Sequence, residues 1–173
     1  MIKTSMRDKI NAALLVGLAV IAVSCNPSKK YEEEEKSIIA DYVADNNITV
    51  TPDKHGLYYI ELVPGSGEYI ETSDSVGVHY KLMFLDGNEI DSNLAPTVPF
   101  RFRVGSYVID GWSIGLTYMQ LGTKAKLLIP SRLGYGSSGY SVYDPLYGYR
   151  TIIPGYSPLL FEIEVVELIK ARK

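Results

Sequence analysis

The chain has 173 residues, 17 Lys and Arg against 20 Asp and Glu, a formal net charge of −3, and one Cys. That length suits one domain with an appendage. The acidic balance speaks against a nucleic-acid partner, which needs a basic stripe, and a lone Cys leaves no disulfide framework. The chain opens with a basic start at Lys3, Arg7 and Lys9, and Ala12 to Val23 is then almost wholly apolar. This run is shorter than the roughly twenty residues a membrane-spanning helix needs, so residues 1–24 read as a secretory signal peptide. Its removal takes away three basic residues and one acid, leaving 14 Lys and Arg against 19 Asp and Glu.

Small residues at Ala22 and Ser24 lead into the sole Cys, and Ala22-Val23-Ser24-Cys25 resembles the lipobox of bacterial lipoproteins. The resemblance implies that Cys25 becomes the first mature residue, carries lipid on its sulfur, and anchors an exported protein to the bacterial outer membrane, on the periplasmic side or the cell surface. Ala22 departs from that pattern, where Leu is commonest. The run Lys29-Lys30-Tyr31-Glu32-Glu33-Glu34-Glu35 reads either as a solvated tether with an acidic first helical turn or as the surface-export label some such lipoproteins carry. Ile38, Ile39, Tyr42 and Val43 then form one apolar stripe on a short helix ending near Asn46-Asn47. Such a helix is too short to stand alone and should dock on the domain. Residues 25–56 are thus an acidic tether and short helix, and residues 57–173 the main domain.

From Leu57 the hydrophobic period becomes two. Leu57–Val63 is a strand closed by Pro64-Gly65. Val76, Val78, Tyr80, Leu82 and Phe84 share one strand face, Asp86-Gly87 turns the chain, and Asn88–Ser92 returns. Phe100, Phe102 and Val104 alternate with Arg101 and Arg103. One short helix follows, with Asp110 able to cap it, Trp112, Leu116 and Met119 on one face, and Gly122 ending it. Lys124–Ile129 is a strand stopped by Pro130. In the last strand Leu159, Phe161, Ile163 and Val165 point one way while Glu162 and Glu164 point the other. The class is α+β: an antiparallel sheet of about five strands with one short helix across its concave face.

Gly134-x-Gly136-x-x-Gly139 after an apolar run imitates a dinucleotide fingerprint. That chemistry needs a helix starting among the glycines to hold the pyrophosphate. Tyr140–Pro145 has no helical period and no βαβ alternation surrounds it, so the segment reads as a long surface loop. His79 and His55 have no Cys or spaced carboxylate beside them for a metal site. Ser131 and Ser137 have no paired His for hydrolysis. No cofactor is expected.

A far more specific pattern is carried by blocks in order: Val78-His79-Tyr80, Leu85-Asp86-Gly87, Ile90-Asp91-Ser92, Pro99-Phe100-Arg101-Phe102, Val108-Ile109-Asp110-Gly111-Trp112, Ile129-Pro130, Gly134-Tyr135-Gly136, Ile152-Ile153-Pro154 and Leu159-Leu160-Phe161. Together they resemble the FKBP-type peptidyl-prolyl isomerases over about residues 57–170. The resemblance implies an FKBP-like antiparallel half-barrel wrapped on its helix, proline-containing polypeptides as substrates, and a monomer. It places Trp112 as the floor under a proline ring, with Tyr80, Phe100, Val108, Ile109 and Phe161 as walls. Tyr135 is then a hydroxyl donor at the rim, Asp91 a polar group beside the amide, and Ile153 the apolar residue backing the peptide. Ile90, Leu82, Asp110 and Gly155 depart from the family pattern. So does the stretch between Gly136 and Ile152, which is longer than in a minimal member. Six of the fourteen Tyr lie in Tyr135–Tyr156, and Tyr suits binding surfaces. This leaves an alternative open: a non-catalytic chaperone or binding module that uses the Tyr-rich loop.

Overall fold

The computed structural model describes residues 27–94 and 98–172. The expected signal segment and Cys25, the expected lipidation site, lie outside them. Helix α1 runs Pro27–Asp45. The strands that follow are β1 (Tyr58–Val63), β2 (Ser66–Tyr69), β3 (Ser75–Phe84), β4 (Glu89–Ser92) and β5 (Phe100–Arg103). Helix α2 (Asp110–Leu116) precedes β6 (Gln120–Leu121) and β7 (Lys124–Ile129), a 3-10 turn at Ser131–Leu133, β8 (Tyr140–Asp144), β9 (Gly148–Ile153) and β10 (Leu159–Ile169).

The main sheet has six strands in the order β1-β7-β10-β3-β4, with β5 paired to β3 and every pairing antiparallel. Register explains the core. Phe161 lies opposite Leu82 on one side and Leu127 on the other, and Ile163 opposite Tyr80 and Ala125. The period-two pattern therefore stacks Leu159, Phe161, Ile163 and Val165 onto one face, where they join a cluster with Val76, Val78, Leu127, Ile129 and the helix residues Trp112 and Leu116. Burying aliphatic and aromatic side chains of this size stabilises the fold by about 1.5–3 kcal/mol each. The opposite face carries Lys124–Glu164 and Lys126–Glu162 ion pairs, each at 3.1 Å.

Helix α2 approaches the sheet closely because two glycines, one turn apart, face β7. A Cβ on Gly111 would lie 2.6 Å from Ile129, and one on Gly115 2.5 Å from Leu127. The close approach seats Trp112 against the sheet rather than above it. Asp110 does not cap this helix. Ile109 occupies the cap position with extended backbone and no side-chain bond, and Asp110 is the first helical residue, where its charge still suits the helix dipole. The helix also ends at Thr117, before Met119 and Gly122.

Helix α1 is longer than expected, 19 residues rather than a tether and a short helix. Its docked stripe is Glu35, Ile39, Tyr42 and Val43, while Ile38 is 48 % exposed. The three apolar members pack with Met83, Leu128 and Leu160 on the face of the sheet away from α2.

The Tyr-rich stretch is not a loop. β8 and β9 form a two-stranded hairpin, with Val142 opposite Arg150 and Tyr143 opposite Tyr149. The glycine fingerprint thus leads into a strand, the reverse of what a pyrophosphate site requires.

Candidate active site

An open cavity of about 530 Å³ lies where β3, β4, β5, the start of α2, the turn after Leu133 and β10 meet. Trp112 reaches it from the third residue of α2, only 4 % exposed. Rings surround the indole. Tyr80 stands edge-on at 5.3 Å, Phe161 edge-on at 5.2 Å, Phe100 at 6.1 Å, and Phe102 lies at 5.4 Å. Such edge-to-face pairs add about 0.5–1.5 kcal/mol each beyond area burial. They hold the indole in one orientation before any ligand arrives. Its Nε1 is buried with no hydrogen-bond acceptor among the described residues.

Polar groups stand among the rings. The Tyr80 hydroxyl donates to the Asp91 carboxylate at 2.6 Å. Strand pairing makes this possible, because Leu82 lies opposite Asp91. Burial first, and then the Asp91 carboxylate, push the Tyr80 hydroxyl well above the ordinary phenol range. It therefore remains a hydrogen-bond donor at neutral pH. Asn93 fixes the same strand edge: its amide accepts from Tyr80 N at 2.7 Å and donates to the Val78 carbonyl at 2.9 Å. Tyr135 stands half-buried across the cavity, its ring 5.5 Å from that of Tyr140. Burial also raises its hydroxyl above the usual range, with smaller contributions from Tyr140 and Asp91.

Of the residues the sequence nominates, Tyr80, Asp91, Phe100, Val108, Ile109, Trp112, Tyr135 and Phe161 converge on this cavity. Ile153 does not. It is 1 % exposed and packed in the core, turned inward by its position opposite Tyr140 at the end of the hairpin. Four further residues line the cavity: Leu82, Tyr107, Asp110 and Gly134. Leu82 shares the Tyr80 strand face, so strand period alone could have found it. Tyr107 is fully exposed with φ of 28°, a strained backbone for a residue with a side chain. Nothing in its local sequence announces that conformation.

An antiparallel sheet wrapped on a short helix thus frames a cavity walled by aromatic rings. Residues 67–166 match the model of the FKBP-type peptidyl-prolyl cis-trans isomerase family. FkpA of Buchnera aphidicola subsp. Baizongia pistaciae, an FKBP-type peptidyl-prolyl cis-trans isomerase, is 38 % identical over 113 residues, 65 % of this chain and 41 % of that protein. FK506-binding protein 1A of Aspergillus fumigatus is 35 % identical over 111 residues, 63 % of this chain and 91 % of that one. The crystal structure of a peptidyl-prolyl cis-trans isomerase from Pseudomonas syringae pv. tomato superposes with a TM-score of 0.67 at 30 % identity, covering 83 % of this chain and 97 % of the other. The chain belongs to the FKBP-type peptidyl-prolyl cis-trans isomerase family. It spans about two fifths of the length of the FkpA relatives it matches.

Proposed function

We propose that this chain is a peptidyl-prolyl cis-trans isomerase that assists the folding of exported proteins. The observation that carries the reading is the indole of Trp112 at the floor of an open, ring-walled cavity. Rotating an X–Pro bond breaks amide resonance, a barrier of about 18–20 kcal/mol, and is slow without help, tens to hundreds of seconds. The planar amide separates charge more than the twisted one. Aromatic walls that displace water from the bound amide therefore favour the twisted form over the planar ground state, which lowers the barrier. Trp112 holds the pyrrolidine ring and Tyr80, Phe100 and Phe161 confine it. Asp91, oriented by the Tyr80 hydroxyl, offers a polar group beside the rotating amide, and the Tyr135 hydroxyl donates to a peptide carbonyl. The chemistry is conformational, so no covalent intermediate and no proton transfer is needed.

A second reading, a chaperone or binding module, is favoured by one observation. The hairpin β8–β9 presents Tyr143, Leu146, Tyr147 and Tyr149, all 65 % or more exposed. One experiment separates the two. Replacing these four residues by Ser leaves tetrapeptide isomerisation intact under the first reading and abolishes aggregation suppression under the second. Asp91→Ala lowers isomerisation and spares aggregation suppression. Isomerisation unchanged by Asp91→Ala contradicts the role given to that carboxylate.

The lipobox-like Ala22–Cys25 and the basic, apolar start support export and lipid anchoring at Cys25 to the outer membrane. Metabolic labelling with a fatty acid should mark the wild type and not Cys25→Ser. Equal labelling, or none, contradicts the anchor. The domain acts as a monomer in this reading, and a single monomeric mass by light scattering is the expected result.

A further inference from the structure

Glu35 is a buried carboxylate outside the cavity, and the proposed chemistry does not use it. It sits on α1 and is 7 % exposed. Buried carboxylates are rare unless something compensates the lost hydration. No ion pair joins it among the described residues. Instead both of its oxygens are taken by one residue of the turn after β7: the Ser131 backbone N–H donates to one, and the Ser131 hydroxyl to the other at 2.7 Å. These charge-assisted bonds are of the stronger kind.

Ser131 is the hub of that turn. Its carbonyl accepts from Gly134 N and from Gly136 N, both at 2.8 Å. Between those two glycines stands Tyr135, and Gly134 and Tyr135 both line the cavity. A second contact of α1 holds the far side of the turn. Tyr31 stacks on Tyr156 at 5.2 Å and 18°, and Tyr156 N donates to the Gly136 carbonyl at 2.9 Å.

We infer that Glu35 is a positioning residue for the isomerase reaction: through Ser131 its carboxylate sets the turn that carries Tyr135 into the cavity, so that α1 completes the site from outside it. The inference rests on the isomerase reading of the cavity and adds to it a residue on another element, 96 positions away from Ser131 in sequence.

The test uses the full-length protein and a proline-containing tetrapeptide. Glu35→Ala lowers kcat/KM roughly tenfold, as expected for a small misplacement of a group that touches substrate, while Glu35→Gln, which can still accept from Ser131 N and donate to its hydroxyl, restores most of it. Ser131→Ala, which removes only the hydroxyl bond, falls between. In a Tyr135→Phe background Glu35→Ala costs less than about twofold, since the group it positions is already gone. Amide exchange at Gly134 and Gly136 rises in Glu35→Ala, while that at Leu127 and Ile163 does not. The inference is overturned if the wild type is active and Glu35→Ala matches it. It is also overturned if the loss is undiminished in the Tyr135→Phe background, or if exchange rises everywhere alike, which marks a general loss of stability. A wild-type rate equal to buffer overturns the isomerase reading itself, a result distinct from these.

Discussion

Trp112→Phe separates the floor of the cavity from the stability of the fold. The indole is 4 % exposed and touches rings at 5.2 to 6.1 Å on several sides. Phenylalanine keeps an aromatic ring there, and because Nε1 has no acceptor among the described residues, no protein hydrogen bond is forfeited. The stability cost is then lost contact plus a small void. At about 24 cal/mol per Å³ of unfilled space plus the transfer term, it comes to about 1–2 kcal/mol. For a domain of this size that lowers Tm by roughly 3–8 °C and leaves it folded at 10 °C, given the usual 5–15 kcal/mol of stability. The proline ring meanwhile loses apolar contact worth about two methylenes, about 1.5 kcal/mol, or roughly tenfold in kcat/KM. Circular dichroism melts and a peptide isomerisation assay at 10 °C measure the two effects on the same sample. A folded Trp112→Phe protein with wild-type kcat/KM would refute the assignment of the indole as the proline floor.

Other consequences are as specific. The Tyr80 hydroxyl has its pKa raised in the folded state, by burial and then by Asp91. The native state thus keeps a proton that the unfolded chain gives up near pH 10. The stabilisation is whole below that pH and declines above it, so urea midpoints should fall between pH 9 and 11, and less steeply in Tyr80→Phe. Gly115→Ala gains about 1 kcal/mol of helix propensity, but its new methyl meets Leu127, which is fully buried. Overpacking there costs about 1–3 kcal/mol, so the variant should melt lower and lose activity as α2 shifts. A higher melting temperature would show that the helix does not sit as close as described. The charged side chains lining the cavity are Asp91 and Asp110, both acidic. Peptides with Lys before proline should therefore be turned over a few-fold faster than those with Glu at low salt, in the range of about 0.2–1 kcal/mol for exposed charges. The preference should fade at high salt and shrink in Asp110→Asn.

Strand alternation made the core legible, because Leu159, Phe161, Ile163 and Val165 can share a face in only one register, and that register brings Phe161 beside Tyr80 and Trp112. The cavity walls followed from motif blocks. The misses have physical causes. α1 extends to Pro27 because Lys and Glu are good helix formers, with Lys30–Glu34 at 3.5 Å and Lys36–Glu33 at 2.7 Å on its surface. A segment without apolar period reads as tether regardless. Glu35 stands one turn before Ile39 on the docked stripe, but a charge hides a buried position from any hydrophobic pattern. The hairpin β8–β9 buries little, so its alternation is weak, and Asp144-Pro145 turns it without the usual Asn-Gly signal. Ile153 was placed by its motif at the peptide's back, whereas pairing with β8 rotates it into the core.

The central claim is that the Trp112-floored cavity accepts a proline ring and eases rotation of its bond. NMR exchange spectroscopy on an Ala-Leu-Pro-Phe peptide, with substoichiometric purified protein, measures this without a coupled protease. A cis/trans exchange rate well above that of the peptide alone, returning to the uncatalysed value in Trp112→Ala, is the expected result. An exchange rate equal to buffer with the folded wild-type protein would contradict it.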